Sequence, residues 1–157
     1  MNQSSHIIIK SSSNGISRII LNDPKTYNSL SSKMIKLLIS AFNKLENDKK
    51  TKVIIIESSG KGFSAGHNLK EISSFKRNSD YIKLFNSCSK LMMSIVENKK
   101  PVIAKVHGAA FAAGCQLVAS CDLAVSSNDA FFATPGVNIG LFCSTPMVAV
   151  SRKVNRK

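Results

Sequence analysis

Tryptophan is absent from this 157-residue sequence, and acidic residues are scarce, numbering 9 against 22 lysines and arginines. No apolar run approaches the roughly 20 residues that span a bilayer, so we expect no membrane helix. The four cysteines show neither CxxC pairing nor the spacing of a small disulfide scaffold. Without a signal-peptide pattern, we expect them to be reduced thiols. Cysteines and histidines lack metal-ligand spacing, so we expect no metal site.

The formal net charge of +13 favours phosphate-bearing ligands, which include both nucleic acids and coenzyme A. Only Arg18, Arg77, Arg152 and Arg156 are arginines, and the lysines are scattered through sequence rich in Asn, Ser and Ile. The charge alone therefore does not distinguish an RNA-binding protein from one that binds a nucleotide cofactor or thioester.

The first 22 residues contain no acid and superficially fit an organelle presequence. However, the aliphatic segments 7–10 and 16–21 flank Asn14-Gly15, which is a strong β-hairpin signal. Only about five residues precede this hairpin, too few for the usual transit peptide. We therefore expect folded structure here.

Strand and helix patterns alternate along the rest of the chain. Residues 53–57 and 102–106 are aliphatic without alternation, as in strands covered on both faces. Ser31 or Ser32 is predicted to cap a helix that has apolar residues at helical spacing and ends between Asn47 and Lys50. A longer helix is predicted over roughly 80–97 with Phe85 on its apolar face, and short helices are predicted near 68–73 and over 114–120. Segments 122–126 and 131–133 predict short strands, 108–113 a loop of small residues, and 134–157 a Pro/Gly loop followed by an apolar stretch. The pattern predicts one α/β domain over residues 1–157.

Two strand–loop–helix junctions, at residues 60–66 and 108–114, have the same arrangement. Small residues let the backbone approach a ligand, and a helix N-terminus with unpaired N–H groups follows. Two such junctions meeting at one point would form an oxyanion hole. Ordinary β–α turns fit the same spacing equally well.

Several segments resemble the enoyl-CoA hydratase/isomerase (crotonase) family, and together they cover essentially the whole chain. They are residues 22–30 (NDPKTYNSL), 63–71 (FSAGHNLKE), 100–108 (KPVIAKVHG), 112–117 (AAGCQL), 121–124 (CDLA) and 132–141 (FATPGVNIGL). The resemblance implies a crotonase-like (ClpP/crotonase) α/β spiral of β-β-α units, here without its C-terminal helices. It also implies acyl-CoA as ligand with no further cofactor, a place in fatty acid or lipid metabolism, and mitochondrial localisation, with the cytoplasm as alternative.

The resemblance also implies site residues. The oxyanion hole would be the backbone N–H groups of His67 and Ala113. Substrate and CoA contacts would come from Lys25, Asn28, Asn68, Leu69 and Lys70. If the C-terminal part is present, a homo-trimer is implied, without a membrane partner.

Two departures from the family pattern concern catalysis. Hydratases of the family carry glutamates where this chain has Gln116 and Gly136, and hydration needs a positioned acid and base. Neither an amide nor a glycine titrates, so hydratase activity is not expected. The absent C-terminal helices would also leave apolar faces uncovered.

Alternative interpretations remain for the whole chain. It could be a non-catalytic fragment or a partner of full-length crotonase subunits. It could bind RNA through a row of lysines at one-turn spacing on its first long helix. Only two of the four positions in that row are lysines, since the residues are Ser32, Lys36, Ser40 and Lys44. No aromatic side chains accompany them, so we favour a solvated helix face.

Single side chains also have competing interpretations. For His67, the backbone amide is favoured as the functional group over the ring as a general base. Cys143 is interpreted as an inert buried thiol and Glu71 as a solvated or paired surface residue. We expect His107 to be structural and Asp122 to cap backbone groups.

Overall fold

A five-stranded sheet forms the centre of the computed structural model, which describes residues 6–155. Strands β1 (Ile7–Ser11) and β2 (Ile16–Leu21) form the predicted hairpin. Strand β3 (Val53–Ser58) pairs in parallel with β2, and strand β4 (Val102–Val106) pairs in parallel with β3. The short strand Leu123–Ser126 pairs in parallel with β4 and forms the far edge of the sheet. The two aliphatic runs therefore occupy adjacent positions in the sheet.

Leu123–Ser126 is strand β6, and Phe131–Ala133 is strand β7. A second, two-stranded sheet pairs β7 in parallel with strand β5 (Ala109–Phe111). The predicted loop of small residues at 108–113 was thus wrong over three residues, because β5 lies within it. This strand is held by pairing with β7 and by an isolated bridge between Ser64 and Ala110. Its own residues, Ala-Ala-Phe, carry no strand periodicity.

Five α-helices and two short 3-10 helices complete the described part of the chain. The helices are α1 (Ser32–Asn47), α2 (Leu69–Ser74), α3 (Asn78–Val96), α4 (Ala113–Ser120) and α5 (Ser144–Ser151), with 3-10 turns at Pro24–Thr26 and Pro135–Ile139. Helix α1 begins as predicted, because the Ser31 hydroxyl accepts a hydrogen bond from the Met34 N–H at 3.2 Å.

One hydrophobic cluster joins the sheet to α1, α3 and α4. In β3 the buried residues are Ile54 and Ile56, while Val53 and Ile55 on the other face are only partly covered. A strand covered on both faces was expected, and in β3 the second face is covered only in part. Burial of aliphatic groups of this size contributes about 1.5–3 kcal/mol each to folding.

Large apolar side chains are exposed along the part of the chain from β6 to α5. All four residues of β6 are exposed. The large exposed apolar residues from β6 to α5 are Leu123, Val125, Phe131, Phe132, Val137, Ile139, Leu141, Phe142, Met147 and Val148. Among residues 6–155, no helix is both long and apolar enough to cross a membrane.

Candidate functional site

A cavity of about 590 Å³ lies between α2, α3, the start of α4 and the segment that leads into α5. Four of the sequence-predicted positions line it, namely His67, Leu69, Ala113 and Gly136. The remaining lining residues are mostly apolar or small, and none is an aspartate or glutamate. They are Ala65, Ile72, Phe85, Cys88, Ser89, Phe111, Ala112, Pro135, Asn138, Ile139, Leu141, Phe142, Cys143, Ser144, Thr145 and Pro146.

The two glycine-containing junctions come together at this cavity. The Phe63 N–H donates to the Ala109 carbonyl and the Phe111 N–H donates to the Ser64 carbonyl, both at 2.9 Å. A β-carbon placed on Gly66 would lie 3.2 Å from the Ala113 nitrogen and 2.9 Å from the Phe111 oxygen. Only a glycine tolerates this approach, and its φ of +85° also requires one.

Two backbone N–H groups lie at this junction, those of His67 and Ala113. Within residues 6–155, the His67 N–H donates to no acceptor. Ala113 is the first residue of α4, whose first-turn N–H groups have no partner inside the helix. The first helical bond of α4 is donated by the Gln116 N–H to the Ala112 carbonyl at 3.0 Å.

Ala112 holds the turn before α4 in an unfavourable conformation, with φ of 48° and ψ of −117°. A residue with a β-carbon rarely adopts positive φ, and such positions concentrate at functional sites. Its N–H donates to the Ala133 carbonyl at 2.9 Å, which fixes the turn against β7. The strained residue therefore lies directly beside the Ala113 N–H.

The His67 side chain contacts Phe85 edge to face, with ring centroids 5.3 Å apart. Its Nε2 is shielded and has no hydrogen-bond partner among the described residues. Burial lowers the pKa of the imidazole below its ordinary value of 6.5, and the nearby Glu71 carboxylate partly opposes this shift. The ring is therefore neutral near pH 7.

Glu71 is engaged elsewhere. Its two carboxylate oxygens accept hydrogen bonds from the Ser32 N–H at 3.0 and 3.3 Å. A carboxylate at a helix N-terminus is favourable, because it pairs an orphan N–H and the positive end of the helix dipole. Glu71 thus caps α1 as the paired residue that was expected, and it does not line the cavity.

Gln116 and Gly136, the two positions at which the family resemblance implies glutamates in hydratases, have different surroundings. Gln116 is buried in α4, and its Oε1 accepts a hydrogen bond from the Thr145 hydroxyl at 3.1 Å. Gly136 is also buried, and a β-carbon there would lie 2.5 Å from the Leu141 oxygen and 2.6 Å from the Cys143 sulfur. Neither position offers a titrating group to the cavity.

The predicted CoA-contacting loop lies beside the first junction. The Ala65 N–H donates to the Tyr27 carbonyl at 2.9 Å. Asn28 is fully buried, and its amide nitrogen donates to the Ser59 and Gly62 carbonyls at 2.8 and 3.1 Å. Its side chain therefore fixes the two loops together, whereas Lys25 is exposed on the 3-10 turn.

The other predicted contact residues lie on α2. The Asn68 side chain accepts a hydrogen bond from the Glu71 N–H at 3.1 Å and so begins the helix. Lys70 is exposed and does not line the cavity. Of the three neighbours, only Leu69 lies in the cavity wall.

Two side chains differ from their predicted environment. Cys143 was expected to be buried, but it is partly exposed and lines the cavity beside Gly136. Phe85 falls on the predicted apolar face of α3, yet it is 48% exposed and also lines the cavity. Helical periodicity predicted Phe85 on an apolar helix face, but this pattern does not distinguish a core stripe from a cavity wall.

His107 and Asp122 have the structural roles that were expected. Nε2 of His107 lies 2.8 Å from the Gly60 carbonyl. Asp122 accepts a hydrogen bond from the Val102 N–H at 2.8 Å and thereby pairs the first N–H of β4. Within the described range, no group of three His, Cys, Asp or Glu side chains is placed to hold a metal ion.

Comparison with known proteins identifies the class of protein. The sequence profile of the enoyl-CoA hydratase/isomerase family matches residues 11–157. The chain therefore belongs to this family. Its fold is the crotonase fold: the structure superimposes on an enoyl-CoA hydratase from Mycobacterium smegmatis with a TM-score of 0.94 at 46% identity, covering 98% of this chain and 60% of the other.

The chain is also similar to one particular member of the family, enoyl-CoA hydratase domain-containing protein 3. The mitochondrial human protein is 52% identical over 143 residues, which cover 91% of this chain and 47% of the relative. The Xenopus laevis protein is 49% identical, covering 100% and 55%. The human crystal structure matches with a TM-score of 0.92 at 48% identity over 97% of this chain and 60% of the other. The chain thus spans about half the length of these curated relatives.

Proposed function

We propose that this chain binds an acyl-CoA thioester in the cavity and holds the thioester oxygen at the backbone N–H groups of His67 and Ala113. The observation that carries the proposal is the contact of the two junctions, where Gly66 approaches the Ala113 nitrogen and both N–H groups lack an acceptor among residues 6–155. Preorganised N–H donors beside an apolar cavity stabilise negative charge that develops on an oxygen.

The surroundings of the N–H groups suit the two ends of such a ligand. The mostly apolar lining accepts an acyl chain. Lys25 and Lys70 are exposed on the elements next to the His67 turn, where they would attract the phosphates of CoA. Asn28 supports the same ligand indirectly, because its buried amide holds the 22–30 loop against the first junction.

We propose that this site polarises the thioester carbonyl but does not add water to the acyl chain. Hydration requires a positioned acid and base, and no carboxylate lines the cavity. The close relatives are named as mitochondrial proteins, and we infer a mitochondrial role in fatty acid or lipid metabolism for this chain by that similarity.

Isothermal titration calorimetry of the 157-residue chain with acetyl-CoA and crotonyl-CoA tests the proposal. The absorbance of crotonyl-CoA is recorded in parallel to detect turnover. Saturable binding without hydration is expected. The S-butyl thioether of CoA is the matched ligand for butyryl-CoA, because it keeps the chain and loses only the carbonyl oxygen. The thioester should bind about tenfold more tightly if two N–H groups hold that oxygen. Equal binding of thioether and thioester would rule out the oxyanion role.

A second function, as a non-catalytic partner of other crotonase subunits, is favoured by the exposed apolar residues between β6 and α5. Faces of this kind on a soluble domain mark interaction sites. Size-exclusion chromatography with light scattering distinguishes the two functions. A clean monomer that binds CoA thioesters contradicts the partner role, whereas association into oligomers, including the implied homo-trimer, supports it.

A further inference from the structure

Helix α3 exposes an apolar face in addition to the one that packs in the core. The residues of its core face are Leu84, Cys88, Leu91, Met92 and Ile95. Ile82, Phe85, Met93 and Val96 lie on another side of the helix and are between 47% and 58% exposed. At about 100° per residue, these four positions fall within an arc of about 80°. They form one stripe along the helix, which we call the α3 stripe.

Lysines border the α3 stripe. Lys83 and Lys90 are exposed on the adjoining arc of the helix, on the side away from the core face. Within residues 6–155, neither forms an ion pair with a carboxylate. Lys76 is exposed just before α3 begins, and Lys99 just after it ends. Positive charge therefore accompanies the stripe over its whole length.

Acidic residues do little to offset this charge. Residues 69–100 contain seven lysines and arginines and only three acidic residues. One acid, Glu71, caps α1, and another, Asp80, pairs with Arg77 at 3.2 Å. The third, Glu97, lies after the last residue of α3. The surface that carries the stripe is therefore complementary to an anionic partner.

The α3 stripe is continuous with the apolar lining of the cavity. Phe85 belongs to both the stripe and the cavity wall. Leu69 lines the same cavity and is also exposed. Apolar surface therefore extends from the outside of α3 to the cavity.

We propose that α3 docks on the surface of a membrane that contains anionic phospholipids. The stripe then lies at the boundary between headgroups and acyl chains, and the lysines contact the lipid phosphates. Helices that lie in a membrane interface combine an apolar face with a lysine-rich polar face, as α3 does. Such docking requires no helix that crosses the bilayer, and residues 6–155 contain none. The inference goes beyond the expectation of no membrane partner, and it does not depend on the proposed function.

A protein partner fits this surface less well than a lipid surface. Lysine is depleted from the centre of protein interfaces, whereas Lys83 and Lys90 lie directly beside the stripe. A second copy of this chain would bring the same lysines together across a two-fold interface, where like charges repel. An anionic membrane compensates the charge and accepts the apolar side chains at once.

Co-sedimentation of the 157-residue chain with phosphatidylcholine vesicles, with and without phosphatidylglycerol, tests the inference. The chain should bind the anionic vesicles, and salt should weaken the binding. Met93→Ser combined with Val96→Ser should weaken it about tenfold. The matched control is Leu123→Ser combined with Val125→Ser on the exposed strand β6, which should have no effect.

Single lysine variants test whether the charge on α3 is specific. Lys83→Gln and Lys90→Gln should each weaken vesicle binding about fivefold. Lys10→Gln, at an exposed position of β1, should leave it unchanged. An equal loss in all three variants would assign the binding to the overall charge of the chain and overturn the inference.

A fluorescent reporter locates the contact, because the sequence contains no tryptophan. Met93→Trp should show an emission shift to shorter wavelength on anionic vesicles and quenching by brominated acyl chains. Leu123→Trp on β6 is the control and should show neither. An equal response of both reporters would overturn the inference.

Other outcomes would also overturn it. Absence of binding to anionic vesicles, or equal binding to neutral ones, contradicts a docking surface of this chemistry. An oligomer in light scattering that Met93→Ser with Val96→Ser converts to a monomer would mean that a second copy covers the stripe. Circular dichroism of each variant verifies that the fold is retained. Binding of CoA thioesters is measured separately, so failure of the inference leaves the proposed function standing.

Discussion

The Thr145 hydroxyl donates a hydrogen bond to Oε1 of Gln116 over 3.1 Å, and this bond connects α5 to the buried helix α4. Gln116 is one of the two positions at which the resemblance to the family implies a glutamate in hydratases. Its amide is part of the packing between two helices and cannot exchange a proton with a ligand. The hydrogen bond to Thr145 gives the Gln116 side chain a structural role that does not depend on catalysis.

Introducing a carboxylate by Gln116→Glu should not create a hydratase. Gly136, the other position at which the resemblance implies a catalytic glutamate, still carries no acid, so crotonyl-CoA absorbance should decay at the wild-type rate. Burial raises the pKa of a carboxyl group in this place, so the variant loses stability as pH rises through that pKa. Thermal melts should show a larger deficit at about pH 8 than at about pH 5. Gln116→Met, which has the same length and no charge, is the control and should show no such pH difference.

Gly136 cannot accept a side chain without displacing its neighbours. Gly136→Ala would bring a methyl group to 2.6 Å from the Cys143 sulfur and 2.5 Å from the Leu141 oxygen. Overpacking of this kind costs about 1–3 kcal/mol in the free energy of unfolding, measurable by urea denaturation. Adding Cys143→Ala should recover only part of the loss, because the Leu141 carbonyl remains. Cys143→Ala alone provides the baseline, and full recovery in the double variant would contradict the role of the carbonyl.

Ala112→Gly should stabilise the chain. The residue has a φ of 48°, where a β-carbon is strained, and glycine removes that strain at the cost of a more flexible unfolded chain. The net gain should be about 1 kcal/mol in the free energy of unfolding. Ala110→Gly is the matched control on the buried strand β5, where φ is not positive and the change should destabilise. Destabilisation of both variants would contradict strain at Ala112.

The elements of the fold were largely predictable, because hydrophobic period and glycine positions are local properties. The hairpin around Asn14-Gly15, helix α1 and the junction before α2 all follow from them. Strand β5 was not predictable, since three residues carry too little pattern and its pairing with β7 is tertiary.

The cavity wall was less predictable than the fold. Residues of α3 and of the 135–146 segment are distant in sequence from His67, and the resemblance to the family supplied only part of the set. Whether Phe85 faces the core or a cavity depends on what packs beside α3. The same dependence explains the error at Cys143, whose exposure is set by the path of the backbone around Gly136.

Cys143 should be the first thiol to react with iodoacetamide in the folded chain. It is partly exposed at the cavity, whereas burial raises the pKa of Cys88 to about 11 and that of Cys121 to about 12. Burial, followed by the proximity of Cys143, also raises the pKa of Cys115. Peptide mass spectrometry at about pH 8 should find one rapidly labelled site, because thiolate fraction and access set the rate. Cys143→Ala should abolish it, and rapid labelling of Cys121 in the wild type would contradict the buried assignment.

Occupancy of the cavity should protect the same thiol. Cys143 and His67 line one cavity, so a bound acyl-CoA would cover the sulfur. Saturating butyryl-CoA should therefore slow labelling of Cys143 while free CoA at the same concentration, which lacks the acyl chain, slows it less. Equal protection by both ligands would place the acyl chain elsewhere.

His67 should make the free energy of unfolding depend on pH in one direction. Its pKa in the folded chain lies below the ordinary value of 6.5, which applies to the unfolded chain. Above this value both states hold a neutral ring and the contribution to stability is complete. As pH falls through 6.5, the histidine is protonated in the unfolded chain but stays neutral in the folded chain. The free energy of unfolding therefore declines until the pH passes the pKa of His67 in the folded chain.

Urea denaturation of the wild type and of His67→Gln between about pH 8 and pH 5 isolates this contribution. His6 and His107 are present in both proteins and cancel in the comparison. The difference in the free energy of unfolding should be flat above the ordinary pKa of histidine and should shift against the wild type below it. A difference that instead favours the wild type at low pH would mean that the ring is protonated in the fold, with the Glu71 carboxylate outweighing burial. The assignment of a neutral ring near pH 7 would then be wrong.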